Sequence, residues 1–425
     1  MTKRTFLAFF LLVFWGTSAL AATGPNIRVS VVTGQRSALI AAQTALFSAR
    51  LDSGEFLDFL PEAKHLLTAE NGFLKIDGRL TAGKSVTITS ETAGSAAEVN
   101  RKVFRGAFKV SIAAGGEALN VVNVLPVEEY LYGTVPNEIP PLWPEEAMRA
   151  QAVISRTIAF CAIAGGRQKD FDLPALYQGN AYYGRDIERP EITEAIRATA
   201  GQVVIRQGEP IRAFFHAAGG GRTEELAALP YIRSVVDYDQ DCPDFEWKKT
   251  FNVKFVDERL KYAGHGDIGR LRGFEFSALE GAETPDRGKS GRLVSIKVLG
   301  DRGFAVIKGE EFAAMLDLPS GAFDIAIANL LPESIDVPIS DPYGNVVGVK
   351  KIPVTVNAEP IFPAGRPLAQ RVSWADNEKI IVKGRGKGSG LGYSQWGGRG
   401  LALAGKSHGE ILGHYFPGTQ IGKMY

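Results

Sequence analysis

The chain has 425 residues, 45% of them apolar, and its 48 lysines and arginines are balanced by 47 aspartates and glutamates. A net charge of +1 supplies no field that would gather nucleic acid, so that class of partner is set aside. The length leaves room for about two or three domains with a sizeable core.

The chain opens with Lys3 and Arg4, an apolar run from Phe6 to Trp15, and the small-residue site Ala19-Leu20-Ala21. The run is shorter than the roughly 20 residues a bilayer requires, so residues 1–21 read as a signal peptide. No cysteine follows the site, which argues against a lipid anchor, and no later stretch reads as a membrane span. The mature protein is expected to be exported and soluble, in the periplasm, the cell envelope or the medium.

From Asn26 to Val122 the runs IRVSVV, FLKID, SVTITS, FKVSI and LNVVNV are β-rich and punctuated by Gly, Asn and Lys. Residues 22–114 are therefore expected to form a strand-rich N-terminal region. A loop follows that carries Glu138 between Pro136 and Pro140-Pro141, with Val135, Ile139, Leu142 and Trp143 as its sequence neighbours. Prolines restrict both themselves and the residue before them, so the loop is expected to be stiff. A carboxyl held among apolar groups has a raised pKa, which suits a general acid near neutral pH.

Pro144 with Glu145 and Glu146 marks a helix start, since carboxylates oppose the helix dipole there. The helix is expected to run to about Ala164 and stop at Gly165-Gly166. Its second half is apolar nearly all round and should be buried, which makes Gln151, Ser155 and Arg156 informative. They either satisfy backbone carbonyls of neighbouring loops, or orient the Glu138 loop, or touch substrate.

A second helix is predicted over Glu191 to Ala200. The strands GQVVIR and RAFFHAA follow, ending in Gly219, Gly220 and Gly221 with Arg222 and Thr223. Glycines there would let backbone approach a ligand, and Arg222 or Thr223 would hydrogen-bond it. A strand-end histidine, His216, beside an ordinary glycine turn is the simpler reading.

Between Trp247 and Ile381 the chain is mixed, with strands in RLVSIKVLG and GFAVIKG and a short helix near Glu310 to Leu316. Residues from about 325 to 380 carry no recognisable pattern. The alternating glycines 384, 386, 388, 390 and 392 are expected to form a strand on which other groups pack closely. Gly400 to Ser407 fits the phosphate-loop pattern formally, but Leu-Ala-Leu-Ala reads as helix, and the site is rejected.

Cys161, at the end of the long helix, reads as a small buried hydrophobe; it would also be free to pair with Cys242 in an exported protein. Cys242 lies in the acidic loop DYDQDCPDF, as a metal ligand or free thiol. The residues by themselves assign no metal or other cofactor. The adjacent pairs Glu128/Glu129, Glu145/Glu146 and Glu224/Glu225 are expected to serve helix ends or the surface.

The stretch LPVEEYLYGTVPNEIPPLWPEEAMRAQAVISRTIAF resembles the stage II sporulation protein D (SpoIID) family, which includes the amidase-enhancer proteins. The resemblance recurs in FFHAAGGGRTEE from Phe214, in YIRSV from Tyr231 and in GLGYSQWGGRGLALAGKSHGEILGHYFPGT from Gly390. It implies an α+β fold, with residues 115–425 as a SpoIID-like core and a mixed insertion at about 247–380. It implies a peptidoglycan lytic transglycosylase that cleaves the bond between N-acetylmuramic acid and N-acetylglucosamine, with Glu138 in the position of the family's catalytic acid. In that chemistry one carboxyl suffices, because the sugar's own C6 hydroxyl closes an anhydro ring.

The groove would then be lined by Gln151, Ser155, Arg156, Gly220, Gly221, Arg222, Thr223, Ser394 and Gln395, and the partner would be a glycan strand. The alternative is a non-catalytic cell-wall binding protein that stimulates an N-acetylmuramoyl-L-alanine amidase. Some members of the family bind a metal near the glycine run with His and Cys ligands, so the resemblance makes His216 and Cys242 the candidate zinc pair, two ligands where structural zinc normally takes four. The chain departs from the family at Lys387 and Ser389, where an aromatic residue and a histidine are usual, and at Tyr393, where methionine is.

Overall fold

The computed structural model describes residues 24–140, 142–166, 170–177, 180–279, 284–329, 334–353, 368–375 and 377–425. The expected signal peptide and Pro141 lie outside these residues. The fold is α+β, as expected.

Two antiparallel-rich sheets make up the N-terminal part. The seven-stranded sheet has the order Leu173–Pro174, Asn26–Gln35, Leu119–Pro126, Ala107–Ile112, Ser85–Thr89, Phe47–Leu51, Phe56–Phe59. The six-stranded sheet runs Lys102–Arg105, Ala96–Val99, Ser37–Ala42, Lys64–Glu70, Phe73–Ile76, Arg79–Leu80. Burial alternates along Phe47–Leu51 and Ser85–Thr89, the signature of strands with one covered face. Ile27, Ile40, Phe47, Phe108 and Leu119 share one core. Ala107 faces Val124 in the ladder, so the chain on either side of residue 114 belongs to one sheet.

The strand Leu119–Pro126 leads directly into α1 (Val127–Tyr132) and α2 (Val135–Glu138), and then α3 (Glu145–Gly166). α3 is buried continuously from Ala150 to Ala159 and packs on α1, on α4 (Pro190–Ala198) and on the strand Gln202–Arg206. Contrary to expectation, a later segment does meet the length and composition of a membrane span, namely α3 itself, with two-thirds of that apolar stretch buried inside the fold. A core helix has the same composition for the same reason, a lack of water on any side.

The segment from 246 to 385 closes on itself. Its first strand, Glu246–Asn252, pairs antiparallel with its last, Glu378–Arg385, from Glu246 opposite Arg385 to Asn252 opposite Lys379. Between them lie α5 (Val253–Leu260), α6 (Gly309–Met315) and a four-stranded sheet, around a separate core that includes Val256, Phe274, Phe312, Phe323 and Val382. The chain then returns through α7 (Gln395–Leu403) and α8 (His408–Tyr415), both packed on α3. Part of the residues 325–380 that carried no pattern forms the hairpin Ser334–Ser340 and Val346–Pro353.

Two expectations fail here. Only Phe215–His216 of RAFFHAA is a strand. The alternating glycines are not a strand beyond Arg385: Gly386, Gly388, Gly390 and Gly392 all have φ between +72° and +97°. Alternation at period two arises equally from a chain that turns left-handed at every second residue, which only glycine does freely. A Cβ on Gly390 would lie 2.5 Å from the Arg292 guanidinium carbon, and one on Gly392 2.3 Å from the Phe214 carbonyl oxygen.

Candidate active site

Glu138 is the last residue of α2, a single turn with Pro136 in its first positions. Val135 and Ile139 on either side are buried, and the hairpin of Leu176–Tyr177 and Asn180–Ala181 covers the turn, so the carboxyl is only partly exposed. The Ala181 N–H donates to Glu138 Oε1 at 3.3 Å. Burial outweighs that bond and the Asn137 side chain, and pushes the carboxyl up to about 7. Leu142, a sequence neighbour expected to shelter it, is instead 91% exposed, with a left-handed φ of +67°.

The polar residues of α3 serve two different neighbours. Gln395 Nε2, at the start of α7, donates to the Glu138 carbonyl at 2.9 Å and to Gln151 Oε1 at 3.2 Å. Gln151 Nε2 donates in turn to Ser155 Oγ at 3.2 Å. Arg156 is fully buried and bidentate to Glu128, with both bonds at 2.8 Å, and also donates to the Ile196 and Gln202 carbonyls. Glu128 accepts further bonds from the Gly201 N–H and the Tyr425 hydroxyl. Gln151, Ser155 and Arg156 thus face the protein interior. Of the three, Gln151 and Ser155 join the Glu138 loop through Gln395, while Arg156 holds α1 and α4 together.

The pairs Glu128/Glu129 and Glu145/Glu146 stand in the first turns of α1 and α3, as expected, and Glu145 and Glu225 are exposed, but one member of each pair does more. Glu128 is the partner of the buried arginine. Glu146 accepts from the His408 backbone N–H and faces His408 Nδ1 at 2.8 Å, tying α3 to the first turn of α8. Glu224 accepts from Ser290 Oγ at 2.6 Å and from the Lys289 and Ser290 N–H groups, holding that loop against the glycine turn. Glu129 is also pushed up by burial, beside the bidentate pair Arg105–Glu188.

The glycine run does not offer its amides to a ligand. Gly219 N–H donates to Asp237, and Gly220 and Gly221 N–H groups donate to the two oxygens of Asp239, at 2.7–2.9 Å. Both aspartates are fully buried, and Asp239 is pushed up by burial and by the Asp237 charge. Thr223 is buried and donates to the Arg233 carbonyl, while Arg222 is exposed and reaches Ser234. Ser394 is buried and caps α7 by accepting from the Gly397 N–H. Arg292 spans Gly219 and Gly388 by donating to both carbonyls. The acidic run DYDQD was the available signal for Asp237 and Asp239, since alternate residues of an extended segment share a side.

His216 is buried; its Nδ1 lies 3.1 Å from the Leu391 carbonyl, and its Nε2 has no hydrogen-bond partner. Burial and the nearby Arg292 charge lower its pKa to about 3, which keeps the ring neutral. Cys242 is buried with its thiol pushed up to about 11, and Cys161 Sγ donates to the Ile211 carbonyl at 3.0 Å. Both cysteines are free. Among the described residues no group of three or more His, Cys, Asp or Glu is placed to hold a metal ion. The formal phosphate-loop stretch is the end of α7 and the Ser407 cap of α8, with Glu410 completing a capping box.

The sequence that builds this site, a partly buried carboxyl on a short turn braced by a core helix and a C-terminal helix, is similar to that of known proteins. Residues 115–205, which include Glu138, match the family described as Stage II sporulation protein (SpoIID). The chain is 25% identical over 368 residues to stage II sporulation protein D of Bacillus subtilis (strain 168), covering 81% of this chain and 87% of that protein. It is 26% identical over 311 residues to the amidase enhancer of the same organism, covering 68% of this chain but 40% of the enhancer. An uncharacterised protein of Brachyspira hyodysenteriae is 26% identical over 312 residues, 72% of this chain and 69% of that one. Over most of its length the chain is thus similar to stage II sporulation protein D and to part of the amidase enhancer, with the family's own segment at residues 115–205.

Proposed function

We propose that this protein is an exported lytic transglycosylase that acts on the glycan strands of peptidoglycan, with Glu138 as its acid and then its base. The observation that carries this reading is a carboxyl lifted to about 7 by burial and held on a braced turn. Near neutral pH an appreciable fraction of it is protonated, which is what a general acid requires.

Glu138 gives its proton to the glycosidic oxygen as the C1–O bond breaks, and the leaving sugar departs as an alcohol. The resulting carboxylate takes the proton of the C6 hydroxyl while that oxygen bonds to C1. An anhydro ring forms, no water is consumed, and the enzyme returns to its acid form. One carboxyl therefore completes the cycle, and none of the other acidic pairs is needed.

The test is the muropeptide profile of cell-wall glycan treated with purified protein. Parent protein should release anhydro-ended products from intact or peptide-free strands, and Glu138→Gln should release none while folding normally. Equal release by the Gln variant would sink the assignment. The similarity to a protein named amidase enhancer favours one other reading, a cell-wall binding protein that stimulates an amidase. Under that reading neither form releases sugar, and both accelerate an added amidase.

A further inference from the structure

We propose that Gln395 is a positioning residue for Glu138, setting where the carboxyl stands by holding its backbone carbonyl from across the fold. The inference rests on Glu138 being the acid. It concerns what fixes that acid, which the prolines of its loop do not do by themselves: Leu142, four residues on, sits in a left-handed conformation that costs a non-glycine residue energy. Such a conformation persists only where the surroundings impose it.

Two contacts from the first turn of α7 impose it. Gln395 donates both amide hydrogens, one to the Glu138 carbonyl and one to Gln151 Oε1. The neighbouring Trp396 meets Trp143, on the far side of Leu142, edge to face at 5.2 Å. Trp396 is fixed in turn by its N–H, which donates to the Ala217 carbonyl at 3.0 Å. The loop is held at both ends by two successive residues of one helix.

The polarity of the amide chain has one sense. Glu138 presents a carbonyl oxygen, which only accepts, so the Gln395 amide must turn its nitrogen that way. Gln151 then faces it with oxygen and turns its own nitrogen to Ser155. Replacing Gln395 by glutamate keeps the shape but sets an acceptor against the Glu138 carbonyl. Gln151 and Ser155 can reverse their roles, and the Glu138 carbonyl cannot. Replacement by methionine keeps the volume and removes both donors.

The experiment compares full-length parent, Gln395→Met, Gln395→Glu and Ser407→Ala, the last removing a cap of α8 far in the chain from the loop. Turnover on glycan strands is followed against pH, and the Glu138 carboxyl is titrated by NMR of its labelled side chain. Both Gln395 variants should lose on the order of 10- to 100-fold in kcat, with KM within about twofold, as a displaced catalytic group does. The Glu138 titration should fall from about 7 as the loop admits water, and the acid–base profile of turnover should follow it. Ser407→Ala should lower Tm and leave that titration in place. The proposal is overturned if Gln395→Met keeps parental kcat, or loses it with the Glu138 titration unmoved. A Glu138→Gln variant as active as the parent would defeat the underlying reading instead, whatever the Gln395 variants do.

Discussion

Neutralising Glu138 should stabilise the protein, and only at high pH. Burial lifts this carboxyl from its ordinary value near 4.5 to about 7, so folding favours the protonated form. The stabilisation tied to that proton is complete below about pH 4.5 and is lost as pH rises through about 7. The full shift corresponds to about 3 kcal/mol. Part of the carboxyl is wet, which leaves roughly 2 kcal/mol. Glu138→Gln has the same shape, keeps an oxygen for the Ala181 N–H and carries no charge at any pH. Urea unfolding of the two proteins should give equal stability near pH 4.5 and a variant about 2 kcal/mol more stable near pH 8.5. The same sign governs catalysis, so turnover by the parent should decline as pH rises through about 7. A gap that stays flat with pH, or one that favours the parent at high pH, refutes the claim that burial perturbs this carboxyl.

Arg156→Met should cost about 3–5 kcal/mol in urea unfolding, since Glu128 would remain inside without its bidentate partner. Adding Glu128→Leu should recover a large part of that loss, and failure to recover would mean the pair is not coupled. Gly390→Ala should lower stability by about 2–5 kcal/mol, from its φ of +80° and the Arg292 group in its path, while Gly405→Ala, equally left-handed at +81° with open space around it, should lose only about 1–2 kcal/mol; equal losses would show that Arg292 yields freely.

What was legible in the sequence was mostly local. Pro144 with two glutamates locates the start of α3 to within one residue, because dipole and φ restriction act within one turn. The end was placed slightly short, because Gly165 and Gly166 complete the helix rather than stop it. Gln151 and Ser155 were visible as an i, i+4 pair, and they do bond. Their link to Glu138 was not visible, because Gln395 is 257 residues from Glu138 in the chain. The partner of Arg156 was hidden differently. Glu128 looked like one of several surface pairs, and only the packing of α1 against α3 takes it out of water. The glycine alternation misled because period two is shared by strands and by repeated left-handed turns. At the motif from Gly219 the residue types were informative, but the amides there are spent on Asp237 and Asp239.

The register of α3 ties these observations together. Gln151 and Arg156 are five residues apart, so they leave the helix about 140° from each other, one toward α7 and the other toward α1 and α4. Each side chain is fully buried, and an unmade bond at either would cost about 1–3 kcal/mol or more. Sliding α3 by a turn, or rotating it by one residue, breaks both sets of bonds together. An apolar surface would tolerate such shifts, because packing between aliphatic groups has many nearly equal solutions. The two polar anchors therefore select one seating of the helix. Gln395 bonds both Gln151 and the Glu138 carbonyl, so the seating of the helix is carried to the turn on which the Glu138 carboxyl stands.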